Sequence, residues 1–304
     1  MLKRRGFTLL ELLVSIVLLG IVGLAMARLM TSMLRVTSAQ VQVAGAQGTS
    51  RTGTLAIPSE FREIGFDTIP DVGIDTDLEA IAANRITFRA MRGMANVCQI
   101  NGSLTEFRIR TPFFGMRNPV TTDSFRLFVE NDKNRGDDDQ WVALDVRDID
   151  QSSSCGADPA WRLILNGAPN HVPTGADPPG AIKASEVFNG IPIRWFERVQ
   201  YAPVVDANNR TWIGARLLNT NQPLTEMIGP LPDSTGFALT YYDADNVVLD
   251  PTNAANKAKV RSIGINLIGS TTSAISLSGS STRSRGNSTV FTRVALRNSL
   301  RPAP

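Results

Sequence analysis

The sequence predicts an α+β fold in which a long N-terminal α-helix, membrane-spanning in its first half, precedes a β-rich globular domain lying outside the cytoplasm. Three observations carry this reading. Residues 7–27, FTLLELLVSIVLLGIVGLAMA, form an apolar run in which Glu11 is the one charge. Apolar residues at 26, 29, 30, 33 and 34 then follow the i, i+3, i+4 spacing of one helical face. From residue 85 the period changes to two, as in half-buried strands.

At about 1.5 Å per residue the 7–27 segment matches a hydrocarbon core of about 30 Å, so it can cross a bilayer once. Lys3, Arg4 and Arg5 precede it and Arg28 alone follows closely, so the positive-inside bias holds the short leader in the cytoplasm. Val41 and Ala44 extend the helix to about residue 57, although Gly45, Gly48 and Gly53 weaken it. Pro58 should break it and leave 59–64 as a short separate helix. A helix over 7–57 would be about 76 Å long, with a second half able to lay an apolar stripe on a sheet.

Strands are expected at 85–92, 104–111, 124–130, 140–146, 161–166, 193–201, 211–218, 236–242, 259–268 and 289–297. FALTYYDADNVVL at 237–249 is the clearest hairpin, with Asp243, Asp245 and Asn246 at the turn. Polar loops at 166–182 and 269–288 are rich in Gly, Pro, Ser and Thr. No repeat and no linker divides the globular region, which a two-lobed sheet would also satisfy.

The 304 residues are 42% hydrophobic and 19% charged, which excludes both a disordered chain and a protein with many membrane spans. One histidine, His171, and two cysteines, Cys98 and Cys155, exclude a zinc site built from several such ligands. Phosphate-cradle and nucleophile-elbow motifs are absent from the sequence, so no common enzyme class is recognisable and no cofactor is expected. His171 falls in a loop sequence, NGAPNHVPTGADPPG, a poor setting for a catalytic base.

Glu11 demands compensation, because a carboxylate inside a membrane segment costs about 2.5–3.5 kcal/mol. Cleavage between Gly6 and Phe7 would create a cationic amine one helical turn before it, able to meet Glu11 of the same or a neighbouring subunit. The stretch KRRGFTLLELLV at 3–14 resembles the processing motif of type IV prepilins and type II secretion pseudopilins. The resemblance implies a pilin-like fold and divides the chain into a leader at 1–6, a pilin helix at 7–57 and a β-rich domain at 58–304. It implies that prepilin peptidase cuts after Gly6 and methylates Phe7, and that Glu11 pairs with a neighbour's amine during assembly with other pilins or pseudopilins. Arg62, Gly65 and Phe66, together with VFTRVALRN at 290–298, are most similar to PilW-type minor pilins, with J-type pseudopilins second. The implied role is a structural, non-enzymatic subunit of a pilus, held first in the inner membrane with its head in the periplasm. A membrane-anchored periplasmic enzyme and a membrane-anchored adhesin or DNA-uptake module are the remaining alternatives.

Cys98 and Cys155 fall outside the cytoplasm in this topology, where they either pair as a disulfide or stay as buried thiols. Asp132, Asn134, Asp137, Asp138 and Asp139 bring together oxygen ligands of the kind calcium takes, but the spacing fails the EF-hand pattern and favours a solvated hairpin loop over a metal site. Charge is unevenly spread. Residues 130–150 hold eight acidic and three basic groups, whereas 251–304 hold eight basic groups and no acid. The two regions face one another in the fold, sit on solvated faces, or complement each other between subunits. Arg283, Arg285, Arg293, Arg297 and Arg301 could touch DNA, but Phe291 is the one aromatic among them, which argues against a stacking platform.

Overall fold

The computed structural model describes residues 9–65, 77–130, 139–170, 186–275 and 282–296. Helix α1, Leu9–Arg62, is followed by β1 (Leu78–Ile81), β2 (Ile86–Ile100), β3 (Glu106–Arg110), β4 (Phe114–Gly115), β5 (Ser124–Val129), β6 (Gln140–Leu144), β7 (Val146–Cys155) and β8 (Asp158–Leu165). The chain continues through β9 (Pro192–Val205), β10 (Thr211–Leu217), β11 (Thr225–Leu231), β12 (Phe237–Tyr242), β13 (Val248–Leu249), β14 (Ser262–Ser270) and β15 (Asn287–Ala295). One long apolar helix followed by a β-rich globular domain is the α+β, pilin-like arrangement that the sequence predicts.

The larger sheet runs β11-β10-β9-β2-β3-β8-β7, with β1 and β4 on β2 and with β5, paired to β6, on β9. The smaller runs β13-β12-β14-β15. All named strand pairs are antiparallel.

Two cores share the long strands β2 and β9. Ile86, Phe88 and Ala90 of β2 join Val199 and Tyr201 of β9 in a core completed by the end of α1 and the smaller sheet. Ala95 and Val97 of β2 join Ile193 and Trp195 of β9 in a second core with β3, β5, β6 and β8. Inward residues of β2 are even-numbered in the first core and odd-numbered in the second. The switch falls at Arg92, the extra residue where the register passes from Met91↔Phe196 to Gly93↔Trp195. A bulge of this kind admits one residue without turning the core face outward.

The helix does not break at Pro58. It continues through the proline to Arg62, so the separate helix expected over 59–64 is largely its last turn. An interior proline costs about 3 kcal/mol locally, but Ile57, Pro58 and Phe61 are all buried, and burying one large apolar side chain returns about 1.5–3 kcal/mol. Phe61 meets Phe88 edge-on at 5.4 Å, and Phe88 stacks on Tyr201 at 6.0 Å. Burial pushes the Tyr201 hydroxyl above its ordinary pKa. Asp77 accepts the Gly65 amide at 3.0 Å and pairs with Arg89 at 2.9 Å, which fixes the chain just beyond the helix.

Candidate assembly surface

Every residue of α1 from Leu9 to Ser38 is exposed, a stretch of about 45 Å that rises free of the head. Leu9, Leu13, Ile16, Leu24 and Met33 are among the apolar side chains left open. The helix is long and apolar enough to cross a membrane, and no described residue of the domain covers its most apolar window. Bare apolar surface of this extent requires lipid or neighbouring helices around it. Glu11 lies in the first described turn, and its backbone carbonyl accepts the Ser15 hydroxyl at 2.7 Å. Gly6, Phe7, Lys3, Arg4 and Arg5 lie outside the described residues.

Docking of α1 uses a different face from the expected apolar stripe. Val41 is 67% exposed and Ala44 is also open. Gln42, Ala46, Ser50 and Gly53 instead meet β14, β15 and the turn beyond β14, before Ile57 and Phe61 take over as apolar anchors. The Ser50 hydroxyl donates to Ser288 at 2.7 Å and accepts the Gly269 amide at 3.1 Å, tying the helix to two residues that face each other across β14 and β15. Thr49 donates to the Gly229 carbonyl at 3.0 Å, while Gln42 accepts both the amide and the hydroxyl of Ser273. A Cβ at Gly53 would overlap Leu267, and one at Gly269 would overlap the Ala46 carbonyl. Small side chains on both sides therefore allow the backbone of α1 to approach the smaller sheet. Their 42-46-50-53-57-61 spacing is one helical face, a signal masked in the sequence by its polar and glycine content.

A chain of charges holds the seam between the two cores. Arg92, aimed by the bulge, pairs with Glu60 of α1 at 2.9 Å and Glu197 of β9 at 2.7 Å. Arg117 bridges Glu197 at 2.9 Å and donates to Asp123 at 2.8 Å. Burial alone would raise the Glu197 pKa, but bonds and charges from Arg92 and Arg117 outweigh it and hold the carboxyl below its ordinary value. The same opposition leaves Arg92 raised despite burial, and the Asp123 bond raises Arg117. Alternating sign and mutual bonding describe a structural clamp.

Cys98 and Cys155 are joined, with Cα atoms 6.1 Å apart, linking β2 to the end of β7. Of the acidic loop, Asp132, Asn134, Asp137 and Asp138 lie outside the described residues; Asp139 is described directly before β6. Among the described residues no group of three or more potential His, Cys, Asp or Glu ligands comes together. His171, Arg297 and Arg301 also lie outside. Arg283, Arg285 and Arg293 are all exposed, and Arg293 lies over the Tyr242 ring at 3.9 Å and donates to Asn246 and Ser262.

A family model described as the prokaryotic N-terminal methylation motif matches residues 1–27. This match supports a type IV prepilin-like, pilin or pseudopilin class of protein, and with the free apolar helix it supports single-pass membrane anchoring. No curated protein and no solved structure matches the chain.

Proposed function

We propose that the protein is a minor pilin, a structural subunit incorporated into a type IV pilus or used to prime it. The observation that supports this most directly is the methylation motif at 1–27 leading into about 45 Å of uncovered apolar helix. Prepilin peptidase removes residues 1–6 after Gly6 and methylates Phe7. The helix partitions from the inner membrane into the filament core, where Glu11 meets a neighbour's terminal amine and sets the register. The domain from 58 onward stays in the periplasm until assembly and supplies contacts to other pilins. PilW-type is the subfamily we favour on Arg62, Gly65, Phe66 and the 290–298 segment. A J-type pseudopilin of a type II secretion system is the second reading, since that segment fits it as well. DNA uptake is less favoured because Arg293 is engaged within the head.

The test is intact and N-terminal peptide mass spectrometry on protein from membranes of the native host. A chain starting at N-methylated Phe7 is expected. A chain still starting at Met1 in cells with active prepilin peptidase would overturn the reading and leave a signal-anchored periplasmic module.

A further inference from the structure

Among the described residues, the strand edges of this domain are blunted except for one. β11 carries Pro230 and two register shifts, and β7 carries two shifts with Arg147, Asp148 and Asp150. β13 and β4 are two residues long, β1 is four residues with a shift, and β6 buries most of its side chains. Such features normally prevent one sheet from pairing with another. β15 has none of them. It is nine residues long, contains neither proline nor glycine, and keeps unbroken register with β14 from Ser262↔Ala295 to Ser270↔Asn287. Its one charge, Arg293, is folded onto Tyr242 and does not guard the edge.

The ladder sets which groups are on offer. The Leu296 amide donates to Arg261 at 3.0 Å, and the Thr271 amide donates to Gly286 at 2.9 Å, so even-numbered residues of β15 exchange bonds with β14. The amides and carbonyls of Thr289, Phe291 and Arg293 therefore point away from the sheet. Phe291 is 58% exposed beside them.

Two copies do not pair β15 to β15 about a two-fold axis: an axis along the strands sets identical outward groups opposite one another, without the one-residue offset a parallel ladder needs, and an axis across them gives an antiparallel pair. Successive contacts of α1 from Gln42 to Gly53 move down β14 from Ser273 to Leu267, so the helix runs along β15. Antiparallel pairing would reverse one helix against the other, while chains anchored in one membrane need both apolar ends on the same side. We propose that the outer edge of β15 accepts an extended strand from a neighbouring subunit of different sequence, lengthening the smaller sheet by main-chain bonds. The inference rests on the reading of the protein as an assembly subunit.

The test uses the full chain in its host, with Thr289→Pro and Phe291→Pro removing one outward amide each, Phe291→Val keeping it, and Glu11→Val as the assembly control. Both proline variants are expected to unfold thermally in detergent micelles like the unchanged chain but to fall about tenfold in sheared assemblies, with Phe291→Val within about twofold. Normal incorporation of folded proline variants alongside failure of Glu11→Val overturns the edge assignment alone. If the proline variants do not fold, residue-resolved hydrogen exchange on the unchanged chain decides. The amides of Thr289, Phe291 and Arg293 should exchange about tenfold more slowly in assemblies than in detergent-solubilised monomer. Equal rates overturn the proposal, as does the same slowing in a purified homodimer. An unprocessed chain absent from assemblies overturns both this inference and the function it rests on.

Discussion

The Ser50 hydroxyl accepts the Gly269 amide at 3.1 Å, at a point where β14 comes so near α1 that a side chain on Gly269 would strike the Ala46 carbonyl. Ser50→Ala removes the hydroxyl's bonds to the Gly269 amide and the Ser288 carbonyl, which keep their ladder bond to each other, and should cost about 0.5–1.5 kcal/mol in chemical denaturation of the full chain in micelles. Gly269→Ala should cost more, because the obstructing atom belongs to helix backbone.

Gly53→Ala should behave differently from Gly269→Ala. The atoms in its way are the end of the Leu267 side chain and, at 3.3 Å, a methyl of Ile228, side-chain ends rather than backbone, and alanine gains about 1 kcal/mol of helix propensity over glycine. A melting temperature within about 3 °C of the unchanged chain is expected.

Glu197→Gln should destabilise the seam by about 1–3 kcal/mol rather than the larger cost of stranding a buried ion, because Arg92 keeps Glu60 and Arg117 keeps Asp123. The Glu197 carboxyl titrates below its ordinary value of 4.5 in the folded state. Its contribution is thus fully present above about pH 4.5 and fades as pH falls through the lower folded value. Denaturant midpoints measured between pH 6 and pH 3 should decline less steeply in Glu197→Gln than in the unchanged chain.

Paired Cys98→Ser and Cys155→Ser substitutions remove a bridge spanning 57 residues, with an expected loss of about 2–4 kcal/mol. The loss should fall on the second core. Exchange protection of the amides around Ile57 and Phe61, which pack in the first core, should change least.

Glu11→Val should leave head stability unaltered, since Glu11 stands far along the bare stretch of α1. Cleavage after Gly6 should proceed while incorporation into filaments drops, as quantitative proteomics of sheared material would register. Normal incorporation would remove Glu11 from its proposed role.

The helix and most strands were legible because their apolar periods are strong, as in SFRLFVE at 124–130. β7 escaped notice because RDIDQSSS has no apolar alternation, and β11 because Pro230 speaks against a strand. Pro58 misled in the opposite direction: local sequence disfavours a helix there, and only the surrounding core overrides it. The processing motif was readable because it is contiguous. The docking face and the charge clamp were not, since Ser50 and Gly269, or Arg92 and Glu197, become neighbours only through pairing of distant strands.

The alignment of α1 with β14 also bears on mechanical load. A pull along the anchor acts parallel to the row of contacts from Gln42 to Phe61, so the bonds at Ser273, Gly229, Gly269 and Ser288 share the force in shear instead of breaking in succession. A sideways pull would peel the same row from its Gln42 end. The head is thus built to stay on its stalk under axial tension and to yield first when the stalk is bent away from the smaller sheet.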